Sequence, residues 1–282
     1  MRIVTLTDNT AVDSNLQTEH GLSVYIEYGD HKILFDTGKS DVFIKNAEVL
    51  NIDLRQVTIA VISHGHYDHI GGLVSFLSIN TIAKVYLKKE IFDYQYYSIK
   101  GAVSKKIGWS DVLVEYKNRF IFLDNDIFVE DNFIFVSKIE DLYPKPKGNE
   151  LLYKLKGAHF EPDDFLHELV FCIDTGKDLC VFSGCSHSGM TNILYTIKKY
   201  YKDKKIKLIF GGMHLIDAVS YMKTETEKEI KNIVIEVDCL SENAMLYTGH
   251  CTSDKAKDII SKKMGSRFNT FYTGQVIELN TF

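Results

Sequence analysis

Four times in 282 residues the chain runs from a short apolar stretch into a tip of small residues that carries histidine. Residues 59–63 lead into His64, Gly65, His66, Tyr67, Asp68 and His69. Residues 179–183 lead into Gly184, Cys185, Ser186 and His187, and residues 206–210 into Gly211, Gly212, Met213 and His214. Residues 244–247 lead into Thr248, Gly249, His250 and Cys251. Helical spacing follows each tip: after Gly71 and Gly72, then over 190–201, 225–237 and 253–264. Short apolar runs bounded by glycine predict buried strands, and their alternation with helices predicts α/β layers. In such layers ligands gather outside the carboxyl ends of strands. Four histidine-bearing tips can therefore converge on one site.

The first third of the chain adds a hairpin. Strands are predicted over 2–6, 22–28 and 31–35, with Gly29 and Asp30 as the turn between the last two. The third strand ends at Asp36, Thr37 and Gly38, and helical spacing follows over 41–50. From about 83 to 156 the composition shifts toward Lys, Tyr, Phe and Asp, with Pro144 and Pro146 near the end. Short strands are predicted there over 121–123, 127–129 and 133–136. The expectation is one domain over 1–282 with a variable insertion at about 84–156. Whether that insertion is a sheet edge and cap or a substrate-selecting lid stays open.

Composition narrows the function classes. Hydrophobic residues make up 45% and charged residues 25%, as in ordinary globular proteins. A net charge of −5 supplies no general basic surface, so nucleic acid is not an expected partner. No run approaches the roughly 18 apolar residues a membrane span needs, and the apolar start over 1–6 is too short for a signal peptide. Five cysteines without Cys-x-x-Cys spacing predict reduced thiols in a cytoplasmic protein.

The chemistry is concentrated at the tips. Imidazole nitrogens and carboxylate oxygens are ligands for zinc and similar divalent ions. His64, His66, Asp68 and His69 point different ways along a bending chain, which favours two adjacent metals. One would use His64 and His66 with His187 as a third ligand. The other would use Asp68 and His69 with His250. His187 could instead cap a helix. His214 could ligate, hydrogen-bond a substrate phosphate or support the site from behind. Cys185 is either a thiolate ligand or a buried small side chain. Asp36 is a candidate acceptor that orients a ligand histidine, or else a turn residue capping the next helix. Asp163 and Asp164 read as a helix N-terminus.

With these residues in place, the chain resembles the metallo-β-lactamase superfamily, whose His-x-His-x-Asp-His hallmark stands at His64, His66, Asp68 and His69. The strand ends at Asp36, Thr37 and Gly38 and at His250 match the superfamily pattern. The resemblance implies a four-layer αββα sandwich, a mixed α/β fold. Asp8, Asn9, Glu19, His20, Gly21, Leu22 and Ser23, with the tips at 184–187, 211–214 and 249–252, are similar to the 7,8-dihydropterin-6-methyl-4-(β-D-ribofuranosyl)-aminobenzene-5′-phosphate synthase-like subfamily. That resemblance gives Glu19 and His20 roles near the site. It implies a phosphorylated small-molecule substrate, pterin- or ribose-linked. One position departs from the pattern: Cys185 follows Gly184 where most superfamily hydrolases carry a bridging aspartate.

The expected activity is hydrolysis by a metal-activated water, with Asp68 orienting or deprotonating it. One or two divalent ions per chain are expected, zinc first, with manganese or iron as alternatives. A diiron redox protein and a metal-binding protein with weak or lost catalysis are the competing readings. A homodimer is compatible with all of them.

Overall fold

The computed structural model describes residues 1–217 and 224–280. Its strands are β1 (Arg2–Thr7), β2 (Ser23–Tyr28), β3 (His31–Phe35), β4 (Ile59–Val61), β5 (Lys84–Leu87), β6 (Gln95–Lys100), β7 (Val103–Lys106), β8 (Phe120–Phe122) and β9 (Ile127–Glu130). They continue as β10 (Phe133–Val136), β11 (Leu152–Lys156), β12 (His159–Pro162), β13 (Val170–Asp174), β14 (Asp178–Phe182), β15 (Lys205–Phe210), β16 (Met245–Thr248), β17 (Phe268–Thr270) and β18 (Val276–Glu278). The helices are α1 (Val42–Val49), α2 (Tyr67–Ile70), α3 (Leu73–Ile79), α4 (Met190–Tyr200), α5 (Glu227–Ser241) and α6 (Asp254–Met264).

Two compact units emerge. The first comprises Met1–Tyr96, Lys106–Asp124 and Phe271–Phe282, and the second Tyr97–Lys105 and Asn125–Thr270. The first unit holds a seven-stranded sheet in the order β18-β1-β2-β3-β4-β5-β8. Its β1, β2 and β3 are antiparallel neighbours, whereas β3, β4, β5 and β8 run parallel. Gly29, at φ 57°, makes the β2–β3 hairpin turn, in the left-handed region that glycine enters without strain.

The second unit holds a seven-stranded sheet in the order β17-β16-β15-β14-β13-β10-β9. Here β14, β15, β16 and β17 are parallel, and β13, β10 and β9 complete it in antiparallel fashion. Central parallel strands are buried on both faces, which is why their sequences read as unbroken apolar runs. Val181, Ile209 and Leu246 form one core with Met190, Ile193 and Leu194 of α4 and Ile230, Val234 and Val237 of α5. On the other face Phe171, Phe182 and Phe210 follow one another at ring-centre distances of 5.9 and 6.1 Å. A third, four-stranded sheet has the order β12-β11-β6-β7.

The helix starts follow local chemistry. Thr226 and Glu229 form a reciprocal capping box at α5, and the Ser253 hydroxyl accepts from the Ala256 amide at α6. No helix begins at Asp163 and Asp164, contrary to the expectation from sequence. Asp163 instead accepts from the Phe165 amide at 2.9 Å and closes a turn around Phe165, which sits at φ 58°. The 84–156 segment supplies strands to all three sheets: β5 and β8, β9 and β10, and β6, β7 and β11. No helix among the described residues is long and apolar enough to cross a membrane.

Candidate functional site

In the first unit the histidine loop leaves the carboxyl end of β4 and turns at once into α2. The loop is organised by Asp36, at the adjacent end of β3. Asp36 is fully buried and sits at φ 58°, a left-handed conformation that costs an L-residue of order 1 kcal/mol and clusters at functional sites. Its Oδ1 accepts from the Ser63 amide at 2.7 Å. Its Oδ2 accepts from the Ser63 hydroxyl at 2.6 Å and lies 2.7 Å from His69 Nδ1. A hydroxyl has one proton. With the Ser63 proton directed at the carboxylate, Ser63 Oγ must accept from His64 Nδ1, which lies 2.9 Å away. In the neutral rings both His64 and His69 therefore carry hydrogen on Nδ1 and a lone pair on Nε2. This is the arrangement by which metal-ligating histidines are oriented.

Asp68 stands beside these rings. Its Oδ2 is 3.7 Å from His69 Nε2 and 3.3 Å from Nε2 of the half-exposed His20. The His66 ring meets His64 edge-on at 4.7 Å and Tyr96 at 5.8 Å. Backbone contacts fix the loop further. Thr37 donates from both its amide and its hydroxyl to the His69 carbonyl, at 2.7 and 2.9 Å, and the Leu22 amide donates to the Asp68 carbonyl at 3.0 Å. Glu19 faces the strand-end turn: its carboxylate accepts from the Lys39 and Ser40 amides and from the Ser40 hydroxyl at 2.8, 3.1 and 2.6 Å.

In the second unit three tips are laced together at the ends of β14, β15 and β16. The Gly212 amide donates to the Gly184 carbonyl at 2.7 Å, the Ser186 hydroxyl to the Gly212 carbonyl at 2.6 Å, and the Met213 amide to Thr252 Oγ1 at 3.0 Å. Ser186, His214 and His250 all have positive φ, at 58°, 48° and 48°. One strained residue at each of three strand ends is the pattern expected where backbone geometry serves a site.

His187 is held from four sides. Its amide and that of Ser188 donate to the Glu168 carboxylate at 2.6 and 2.8 Å. Asn149 donates from Nδ2 to the His187 carbonyl at 2.8 Å, so its Oδ1 is the acceptor for His187 Nδ1 at 2.9 Å. The neutral His187 ring then has its lone pair on Nε2, like His64 and His69. Phe165 stacks on the ring at 4.4 Å and 10°, and His214 lies 4.3 Å away on a tilt. The residue preceding α4 is Gly189, not His187, and no side chain caps that helix.

Cys185 is buried at the centre of this group. Its sulfur lies within 4.8 Å of a ring nitrogen of His187, His214 and His250 and of the Cys251 sulfur. The Cys251 thiol is 3.7 Å from the Cys185 carbonyl oxygen. Burial alone would raise the Cys251 thiol, but the Cys185 and His214 side chains and the charge of His250 outweigh it and hold it well below the ordinary thiol range. The other buried thiols behave differently: burial pushes Cys180 up to about 12 and Cys172 higher still.

The sequence reading did not single out Ser63, Asn149, Glu168 or Cys251 for the site. Only Cys251, next to His250, carried a local signal. Of the histidines the sequence left without a role, His159 is exposed on β12, and buried His167 places Nε2 3.1 Å from Asp163 Oδ2.

The family model of the metallo-β-lactamase superfamily matches residues 17–187, well over half the chain. The chain belongs to the metallo-β-lactamase superfamily. The solved structure of Tm1679, described as a metal-dependent hydrolase of the β-lactamase superfamily, is 32% identical with a TM-score of 0.83, covering 99% of both chains. A relative from Methanocaldococcus jannaschii, 7,8-dihydropterin-6-methyl-4-(β-D-ribofuranosyl)-aminobenzene-5′-phosphate synthase, is 27% identical over 99% of this chain and 96% of its own length. Zn²⁺-bound PqqB from Methylobacterium extorquens shares the fold at 13% identity and a TM-score of 0.55. The mixed α/β architecture is thus that of the metallo-β-lactamase fold.

Proposed function

We infer that the protein is a metal-dependent hydrolase of a phosphorylated small molecule, pterin- or ribose-linked. The observation that carries this reading is the Asp36 network, which fixes both His64 and His69 with lone pairs on Nε2 beside the Asp68 carboxylate. Such a donor set fits a divalent ion of the zinc class. The ligands in this reading are His64, His66, Asp68 and His69 of the histidine loop, with His187 and His250 carried over as the further ligands expected from the sequence. A divalent ion held by them would supply Lewis acidity toward a phosphoryl oxygen and toward the attacking water.

The chain's own residues do the rest. Asp68 orients the water and accepts its proton. His20, 3.3 Å from Asp68 and half exposed, passes that proton toward solvent. Asp36, acting on His64 through Ser63, and Asn149 hold the tautomers of His64, His69 and His187, so these three rings need shed no proton from Nε2 before it binds. The named activity of the Methanocaldococcus relative supports a phosphorylated pterin–ribose substrate class, and the Tm1679 description supports hydrolysis.

The test is a screen of zinc-, manganese- and iron-reconstituted protein against bis-p-nitrophenyl phosphate and a panel of nucleoside and pterin phosphates. Metal-dependent release of phenol or phosphate above a metal-only control is expected. Protein that binds its metal stoichiometrically and turns over none of the panel would overturn the hydrolase reading.

A further inference from the structure

A cavity of about 170 Å³ lies in the second unit, between the tip after β15 and the starts of α5 and α6. Its apolar walls are Leu215, Ile216 and Ile230, and its polar groups include Asp217, Glu225 and Lys255. None of the residues lining it belongs to the metal-ligand set. An apolar cavity of roughly 150 Å³ is large enough for benzene, so this one admits a six-membered ring with substituents.

Hydrogen bonds hold the walls in place. The Ser253 amide donates to the Leu215 carbonyl at 2.8 Å, which ties the start of α6 to the tip. The Lys147 amide donates to Glu225 Oε1 at 2.7 Å, and the Lys147 ammonium is held by the Glu229 carboxylate at 2.7 and 2.8 Å. Glu225 is thereby fixed, and it is only 6% exposed. Its Oε2 is buried and has no hydrogen-bond partner among the described residues. A buried carboxylate oxygen without a donor is unfavourable and calls for an explanation. Here the side chain that carries it also lines a cavity, and a donor on a ligand would satisfy it. Asp217 and Lys255 are exposed at the rim. Two carboxylates to one ammonium favour a ligand that presents N–H donors. The three aliphatic walls favour a flat ring over a compact ammonium ion. An ammonium can only donate, so Lys255 suits an acceptor on the same ring.

We propose that this cavity binds the 2-amino-4-oxo edge of a pyrimidine-type ring, with Glu225 Oε2 accepting from the amino group and Lys255 donating to the ring carbonyl. Leu215 directly follows His214, which puts the cavity at the same strand end as the histidine tips. As a pocket for a ring of the substrate it rests on the hydrolase reading. As a binding site it does not, because no metal ligand takes part.

Isocytosine and uracil are the probes, because ring position 2 carries an amino group in the first and a carbonyl in the second. Ligand-observed NMR titration of metal-free protein should show saturable binding of isocytosine, about tenfold or more tighter than uracil. Glu225→Gln is the decisive variant. The Lys147 amide can only donate, so the glutamine carbonyl must stay opposite it and the NH₂ group takes the Oε2 position. That group opposes the isocytosine amino group and suits the uracil carbonyl, so the preference should reverse rather than merely vanish. No binding of isocytosine to wild type, or an unchanged preference in Glu225→Gln, overturns the proposal. Should the variant fail to fold, intermolecular NOEs in wild type decide. Contacts from isocytosine ring protons to the Ile216 and Ile230 methyl groups support the cavity, and contacts confined to other residues refute it. Pterin and guanosine both carry this edge, and titrating each identifies which bearer of it the cavity takes. Exclusion of both while isocytosine binds would refute the role as a substrate pocket. Ring binding without turnover on any phosphate would sink the hydrolase reading alone, and turnover without ring binding would sink only this site.

Discussion

Asp36→Asn is the sharpest perturbation of the histidine loop, because it changes one atom in a closed network. The carboxylate accepts three hydrogen bonds: Oδ1 from the Ser63 amide, and Oδ2 from the Ser63 hydroxyl and His69 Nδ1. The Ser63 backbone amide can only donate, so the asparagine carbonyl must stay opposite it. The new NH₂ group is thereby forced to the Oδ2 position, facing a hydroxyl and a ring N–H. The hydroxyl can rotate. His69 can satisfy the NH₂ only by moving its proton from Nδ1 to Nε2, and a protonated Nε2 is no longer a ligand atom. If the ring keeps its proton, two donors meet in a fully buried site, at a cost of about 1–3 kcal/mol. Either way the loss is measurable. Zinc affinity by calorimetry should fall about 10–100-fold, urea unfolding of the metal-free protein should show a loss of up to about 3 kcal/mol, and histidine-ring ¹⁵N spectra should show His69 as the Nε2–H tautomer. Wild-type zinc affinity together with an unchanged His69 tautomer would refute the reasoning.

Four further outcomes are expected. His66→Ala should remove most of the metal bound through His64 and His66, and elemental analysis showing full metal content would reject that assignment. Asp68→Asn keeps size but loses proton acceptance, so turnover on any phosphate ester found should drop by about a hundredfold or more at equal metal content. Gly72→Ala would place a Cβ on the Thr37 and Ser40 carbonyl oxygens, where α3 starts against the Asp36 turn, and should cost about 1–3 kcal/mol or more in chemical denaturation. The hydrogen bonds from Lys147 and then Thr226 hold the Glu229 carboxyl down at about 2, below the ordinary 4.5. The contribution of Glu229 to stability is therefore complete above about pH 4.5 and is lost as pH falls toward 2. Glu229→Gln should flatten the urea-midpoint profile over that range, and an unchanged acid limb would contradict the assignment.

Much of this protein was legible along the chain. The strand-end tips, the hairpin at Gly29 and the helices over 190–200, 227–241 and 254–264 follow from signals local in sequence: apolar runs, turn glycines and caps such as Thr226 and Ser253. Residue types at the tips already pointed to metal-ligand chemistry, because imidazole and carboxylate at a strand end have few other uses at that density.

What the sequence could not specify were the partners that give each donor its orientation. Asp36 and His69 are 33 residues apart, and Asn149 and His187 are 38 apart. A hydrogen bond across such a separation exists only once the segments that carry the two residues are packed side by side, so no local pattern encodes it. The same holds for Glu168, whose carboxylate reaches the amides of His187 and Ser188 from 19 and 20 residues away. Glu19 shows the converse, since only the family resemblance suggested a role for it near the site, while packing directs it to the Lys39 and Ser40 amides. Cys185 and Cys251 each stand beside a histidine-bearing tip, but nothing in the sequence relates two thiols 66 residues apart. Only parallel pairing of β14, β15 and β16 brings their tips together around His214, because parallel neighbours end on the same side of a sheet.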